Sequence, residues 1–206
     1  LYDSGVRQLD TEISRLFGHL HEKGLLDETL LVITSDHGEG FGEHGEVDHF
    51  LTTYQEVLHV PLLVRGKGVP ANMRIEQPVS LVDIVPTILA AAGAEIPDDL
   101  PGLNLLPYLK GEKPIERSTI FGESFAHDIA DIENPQASLL YRWVIRGHDK
   151  LLLTYDGATG KMKYPPAGGA PQLFDLKTDP NETTNLGGKK DELVKQLAAE
   201  LDAWYP

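Results

Sequence analysis

Leu31-Val32-Ile33-Thr34-Ser35-Asp36-His37-Gly38-Glu39-Gly40 is the stretch that decides the architecture. Its first half, with Leu30 before it, is a short continuous apolar run with β-branched members. That is the pattern of a strand buried on both faces in a parallel sheet. Its second half is a turn carrying an acid, an imidazole and a second acid. It lies directly after the strand, where open α/β sheets bind ligands. Glycines on either side of Glu39 permit the backbone to turn tightly.

Upstream, Tyr2, Val6, Leu9, Ile13, Leu16, Phe17 and Leu20 recur at three- and four-residue steps, which predicts an amphipathic helix stopped by Gly24. Downstream, Val60 to Val64 reads as a second buried strand, and Asp83 to Ala92 as a helix. Asp83 is its expected N-cap, Pro86 is tolerated in its first turn, and Gly93 is its stop. These elements predict an α/β fold in which residues 1–112 form part of a mainly parallel sheet with flanking helices. Beyond Pro97, Pro101 and Pro107 the texture changes. Thr119–Glu123, Leu139–Ile145, Leu151–Tyr155 and Gln172–Leu176 read as short strands of a small antiparallel sheet, with Arg146-Gly147-His148-Asp149 as a turn. Asp191–Trp204 carries Leu193, Leu197 and Leu201 four residues apart, a terminal helix packed on that sheet. Residues 113–206 are therefore expected to form a small α+β subdomain, with Pro165–Pro171 its most loop-like piece.

The composition excludes several classes of function. The 206 residues, 41% hydrophobic, can bury a substantial core, and the net charge of −14 repels nucleic acid and anionic membrane surfaces. Without any cysteine there is no disulfide, zinc-thiolate site or thiol nucleophile in the sequence. No apolar run approaches the roughly 18 residues of a membrane span.

Between Gly24 and Val64 there is no Lys or Arg, although the segment holds eight carboxylates and the four histidines His37, His44, His49 and His59. Clustered carboxylates and neutral imidazoles repel or desolvate one another until a cation neutralises them, so a divalent metal ion is the economical partner. A solvated acidic loop is the alternative. The position of Asp36 and His37 in the turn leaving a strand favours the ion, because there the two side chains can converge.

The run Leu31 to Glu39, then Gly42-Glu43-His44-Gly45, Tyr54-Gln55-Glu56 and Val60-Pro61-Leu62-Leu63, resembles the carboxyl-terminal half of sulfatases of the alkaline phosphatase superfamily. Val82-Asp83-Ile84-Val85-Pro86-Thr87-Ile88-Leu89 is similar to a helix of that family, and Leu105 to Gly111 to the segment after it. Leu173-Phe174-Asp175-Leu176, Asp179-Pro180-Asn181-Glu182 and Asn185-Leu186 are similar to its late strand and turn. The resemblance runs in order along nearly the whole chain.

The resemblance implies sulfate-ester hydrolysis with one divalent metal ion held by Asp36 and His37. Calcium is the usual ion of the family, and an imidazole at the second position makes manganese or zinc fit as well. His49, seven residues before Glu56, takes the place of a family residue that contacts the ester or protonates the leaving alcohol. His44 is a second candidate for substrate binding or for a loop-stabilising hydrogen bond. Glu39 and Glu43 are expected to be turn or supporting residues. The family's nucleophile is a formylglycine made from Cys or Ser in Cys/Ser-x-Pro-x-Arg, and none of the 14 prolines here has an Arg two residues later. The expectation is a carboxyl-terminal piece, inactive alone and prone to self-association, of an enzyme acting on a sulfated small molecule or glycan; many enzymes of the family are exported, and the sequence leaves the compartment open. Two alternatives stand beside it: a phosphodiester or phosphonate hydrolase or phosphoryl-transfer enzyme of the same superfamily, and a non-catalytic binding module.

Overall fold

The computed structural model describes residues 1–45, 47–49, 52–128, 130–157 and 169–204. It divides into two compact units, one made of Leu1–Thr34, Leu62–Arg74 and Val82–Pro114, the other of Ser35–Pro61, Ile75–Leu81 and Ile115–Pro206.

The first unit opens with helix α1 (Tyr2–Glu22), which ends as its sequence predicts: Gly24 adopts φ +67 and the Leu25 amide donates back to the Leu20 carbonyl. No residue of α1 is buried, and Tyr2, Val6, Leu9 and Leu16 are exposed. Strand β1 (Leu31–Thr34) pairs with β4 (Leu62–Arg65) through Leu31↔Arg65 to Thr34↔Leu62. The pairing is antiparallel, which corrects the expected parallel sheet. A continuous apolar run reports burial, not the direction of the neighbouring strand. Nor are these strands fully covered. β1 is half-buried and β4 alternates half-buried with exposed positions, beginning after Pro61, which has no N–H to donate to a ladder. Arg65 fastens the pair by donating to the Leu26 carbonyl at 2.5 Å and to Asp27 Oδ1 at 2.8 Å.

Helix α3 (Ile84–Ala91) follows Asp83 and stops before Gly93 at φ +69. Asp83 occupies the N-cap position but makes no side-chain cap bond. Fully buried, it accepts the Leu103 amide at 2.8 Å. The expected cap is thus a tie to the next segment, which α4 (Leu106–Leu109) continues. Thr87 Oγ1 completes the tie by accepting the Leu105 amide at 2.8 Å.

The second unit contains the antiparallel sheet that the sequence predicts, in the order β5 (Thr119–Phe125), β6 (Leu139–Arg146), β7 (Asp149–Thr154) and β8 (Gln172–Asp175). Helix α5 (Asp191–Trp204) packs on it. Val144, Leu151 and Leu173 from three adjacent strands meet Leu197 and Leu201 from α5, all at zero exposure. Burial of such side chains stabilises by about 1.5–3 kcal/mol each. Arg142 reaches from the sheet to the Leu201 carbonyl and to Asp202, and Arg146 to Glu200, so the helix is held at its edge by charge as well. Of the expected loop Pro165–Pro171, residues 165–168 lie outside the described residues. Among the described residues, no helix is long and apolar enough to cross a membrane.

Candidate functional site

The second unit also contains the acidic loop Ser35–Pro61. Its first turn is built by short polar contacts: Ser35 Oγ donates to the His37 carbonyl at 2.7 Å, and the His37 amide donates to Asp36 Oδ1 at 3.1 Å. These leave Asp36 Oδ2 facing His37 Nε2 at 3.7 Å. Backbone amides of Asp36 and His37, and then the charge of His37, hold the Asp36 carboxyl below its ordinary value. His37 Nδ1 lies 2.8 Å from the Gly38 carbonyl. A carbonyl can only accept, so Nδ1 carries a proton and Nε2, on the Asp36 side, is the nitrogen left for a metal ion, the arrangement that imidazole metal ligands adopt.

The donor set fits a divalent ion. One carboxylate oxygen and one imidazole nitrogen 3.7 Å apart are spanned by two bonds of roughly 2.0–2.4 Å to a shared centre. The turn is pinned from behind by α2 (Gln55–Leu58). The Gly38 amide donates to the Val57 carbonyl at 2.8 Å, and a Cβ on Gly38 would sit 1.9 Å from the Glu56 carbonyl oxygen. No other residue fits there.

His49 joins this group. Its ring stacks on that of His37, centroids 4.0 Å apart and planes inclined by 20°. The two-residue ribbon of β2 (Gly40–Phe41) and β3 (Val47–Asp48) brings it back beside Glu39, whose carboxylate lies 3.3 Å from His49 Nδ1. Asp48 Oδ1 lies 2.8 Å from the same nitrogen and accepts the His49 amide at 2.7 Å. Among the described residues, Glu39, Asp48 and His49 form a group of ligating side chains whose donor atoms all lie within 4.8 Å of one another. Sequence reasoning named His49 and placed Glu39 in support, but missed Asp48. The signal was its place immediately before His49. Glu43 is a turn residue, its Oε2 accepting the Phe41 amide at 2.6 Å.

His44 sits elsewhere in the loop, in the left-handed region at φ 54 and stacked on Tyr54 at 3.7 Å. Its Nδ1 lies 2.8 Å from Glu56 Oε1 and its Nε2 3.1 Å from the Glu182 carbonyl. Both partners accept, so the setting suits the protonated ring, which donates from both nitrogens. Burial pushes its pKa down, but the Glu56 carboxylate, the Glu182 carbonyl and the charge of Glu182 outweigh it and the net direction is up.

Two residues that sequence reasoning passed over lie behind His44. Lys150 Nζ and Glu182 Oε1 are 2.7 Å apart with both side chains fully buried. Lys150 also donates to the Thr53 carbonyl at 2.7 Å, and Glu182 Oε2 accepts the Gln55 amide at 2.5 Å. Burial draws Lys150 down and Glu182 up, each resisted by the charge of the other. The signal for Lys150 was a lone cation opening the apolar run Leu151-Leu152-Leu153.

Comparison with known proteins agrees with this architecture. Residues 1–94 match the sulfatase family model. Mouse arylsulfatase K is 34% identical over 209 residues, covering 97% of this chain and 34% of its own length. The solved phosphonate monoester hydrolase of Agrobacterium radiobacter superposes with a TM-score of 0.78 at 28% identity, covering 96% of this chain and 39% of that protein. BT4656, solved in complex with its substrate D-glucosamine-2-N,6-O-disulfate, gives 0.72 at 29% identity, covering 96% and 38%. The chain spans about a third of the length of the curated relatives it matches. With a family-model match over residues 1–94 and relatives aligned along almost all of its length, the chain is similar to the sulfatases.

Proposed function

We propose that this chain supplies the metal-holding part of a sulfatase that hydrolyses a sulfate ester of a small molecule or glycan. The observation that carries the reading is the pair Asp36 Oδ2 and His37 Nε2, 3.7 Å apart, with the imidazole tautomer set by the Gly38 carbonyl. A bound divalent ion polarises the ester oxygens and favours the deprotonated nucleophile. The imidazole supports manganese or zinc beside the calcium usual in the family. His49, stacked on His37 and flanked by Glu39 and Asp48, is the residue we assign to hydrogen-bonding the ester or protonating the leaving alcohol. His44, with both nitrogens committed, holds the loop that lines the substrate side. The chain has no Cys and no Ser-x-Pro-x-Arg, so the formylglycine nucleophile is contributed from outside these 206 residues. On this reading residues 1–112 belong to the α/β catalytic domain and residues 113–206 form its carboxyl-terminal subdomain.

The test is hydrolysis of an aryl sulfate by the full-length protein, with and without chelator, and by its Asp36→Asn variant. Chelation and Asp36→Asn should each abolish turnover. A second reading, phosphonate or phosphodiester hydrolysis, is favoured by the likeness to the Agrobacterium radiobacter hydrolase. Turnover of a phenyl phosphonate with none of the aryl sulfate would establish it instead.

A further inference from the structure

We infer that the buried pair Lys150–Glu182 is a positioning device for the metal-ligand turn, acting on His37 through α2 and Gly38. The inference rests on the reading of Asp36 and His37 as metal ligands.

A fully buried ion pair asks for an explanation, because desolvation commonly cancels its attraction and apolar replacements are often as stable. The surroundings of this pair supply one. Its two members grip the backbone on either side of Tyr54: Lys150 Nζ holds the Thr53 carbonyl at 2.7 Å, and Glu182 Oε2 holds the Gln55 amide at 2.5 Å. Gln55 opens α2, a helix of four residues, too short to persist on its own hydrogen bonds. The same helix carries the two carbonyls that pin Gly38, one accepting its amide at 2.8 Å and the other occupying the space of its missing Cβ. Gly38 in turn sets the tautomer of His37 through its own carbonyl, at 2.8 Å.

A second branch reaches the same helix. The Glu182 carbonyl accepts from His44 Nε2, and His44 Nδ1 donates to Glu56 of α2. Glu182 therefore meets the loop with its carboxylate and its backbone at once, which its left-handed φ of 52 accommodates. Asp179 fixes that conformation by accepting the Thr183 and Thr184 amides at 3.1 and 2.8 Å. The late Asp-Pro-Asn-Glu turn is thus tied to the start of α2.

Partners that orient a metal ligand typically account for about 10–100-fold in metal affinity. The experiment measures Mn²⁺ binding by calorimetry on the full-length protein, with amide hydrogen exchange as a second readout. Two double variants avoid leaving a lone buried charge. Lys150→Met with Glu182→Leu removes every contact of the pair to residues 53–55. Lys150→Met with Glu182→Gln retains an acceptor for the Gln55 amide. The first should weaken Mn²⁺ binding by about 10–100-fold and speed exchange at residues 37–38 and 53–57, with the sheet β5–β8 still protected; the second should lose less. Wild-type affinity in the folded Leu variant overturns the inference. Should that variant fail to fold, wild-type affinity and exchange in the Gln variant overturn it equally. Asp36→Asn separates the two levels of argument. If wild-type protein binds none of Mn²⁺, Ca²⁺ and Zn²⁺, or Asp36→Asn binds as well as wild type, the metal reading fails and this inference with it. If Asp36→Asn abolishes binding while both double variants bind normally, only the positioning role is lost.

Discussion

The sheet β5–β8 with α5 and the loop from Ser35 to Pro61 belong to one compact unit and are held by opposite means. In the sheet, five aliphatic side chains at zero exposure fill the contact with the helix. The loop has strands of two residues, residues with positive φ at Gly42, His44, Gly45 and Asp48, and side chains committed to carbonyls and carboxylates. Apolar burial is strong but non-directional, whereas a hydrogen bond fixes an atom to within a few tenths of an ångström. The sheet supplies stability and the loop supplies placement, so damage to each should be read out differently.

The largest effect is expected in the sheet. Leu173→Ala empties the centre of the cluster and should cost about 2–5 kcal/mol in urea unfolding. Metal binding by the protein that remains folded should be unchanged, and a proportional loss of affinity would break the division of labour. Next comes Gly38→Ala, whose methyl would lie 1.9 Å from the Glu56 carbonyl. Displacing α2 or the ligand turn by such an amount should lower metal-dependent turnover about 100-fold, while the unfolding midpoint of the sheet moves little. Wild-type turnover in this variant would show that α2 does not hold the turn.

The same contrast explains what could be read in advance. Helix α5 and the four strands were legible because Leu193, Leu197 and Leu201 repeat at helical spacing and the strands alternate with turn residues. Those are local patterns, and local patterns report elements. The antiparallel pairing of β1 with β4 was not legible, since Leu31-Val32-Ile33 would look the same beside a parallel neighbour. Asp83 announced a helix start, but its bond to Leu103 lies 20 residues away and leaves no local trace. Within the site, the closeness of Asp36 and His37 follows from adjacency in a turn. The Glu39–Asp48–His49 group needed the β2–β3 ribbon, and Lys150 with Glu182 needed the tertiary fold.

A smaller effect sharpens the comparison through pH. His44 has its pKa raised in the folded protein above the ordinary value of 6.5, with Glu56, Glu182, Tyr54, Glu43 and Asp179 around it. A raised pKa means stabilisation that is complete below pH 6.5 and is lost as pH rises through the folded-state value. Wild-type protein should therefore lose stability as pH rises above 6.5. His44→Gln should flatten that slope, as followed by urea unfolding at several pH values; an unchanged slope would show that another group carries it. The smallest effect belongs to Trp204, stacked on Phe121 with centroids 5.2 Å apart. Trp204→Ala should cost about 0.5–1.5 kcal/mol and leave Mn²⁺ affinity alone.

The bond from Glu182 to the Gln55 amide closes a separation of 127 residues, and this has a consequence in time. At roughly 5–20 residues per second a ribosome takes about 6–25 s to travel that distance. Until Lys150 is made the acidic nascent loop lacks its buried lysine, and until Glu182 is made the Gln55 amide lacks its acceptor. The clamp on α2 is therefore among the last features of the molecule to form during synthesis, and a chain released before Glu182 would carry Asp36 and His37 without the carboxylate that holds the Gln55 amide.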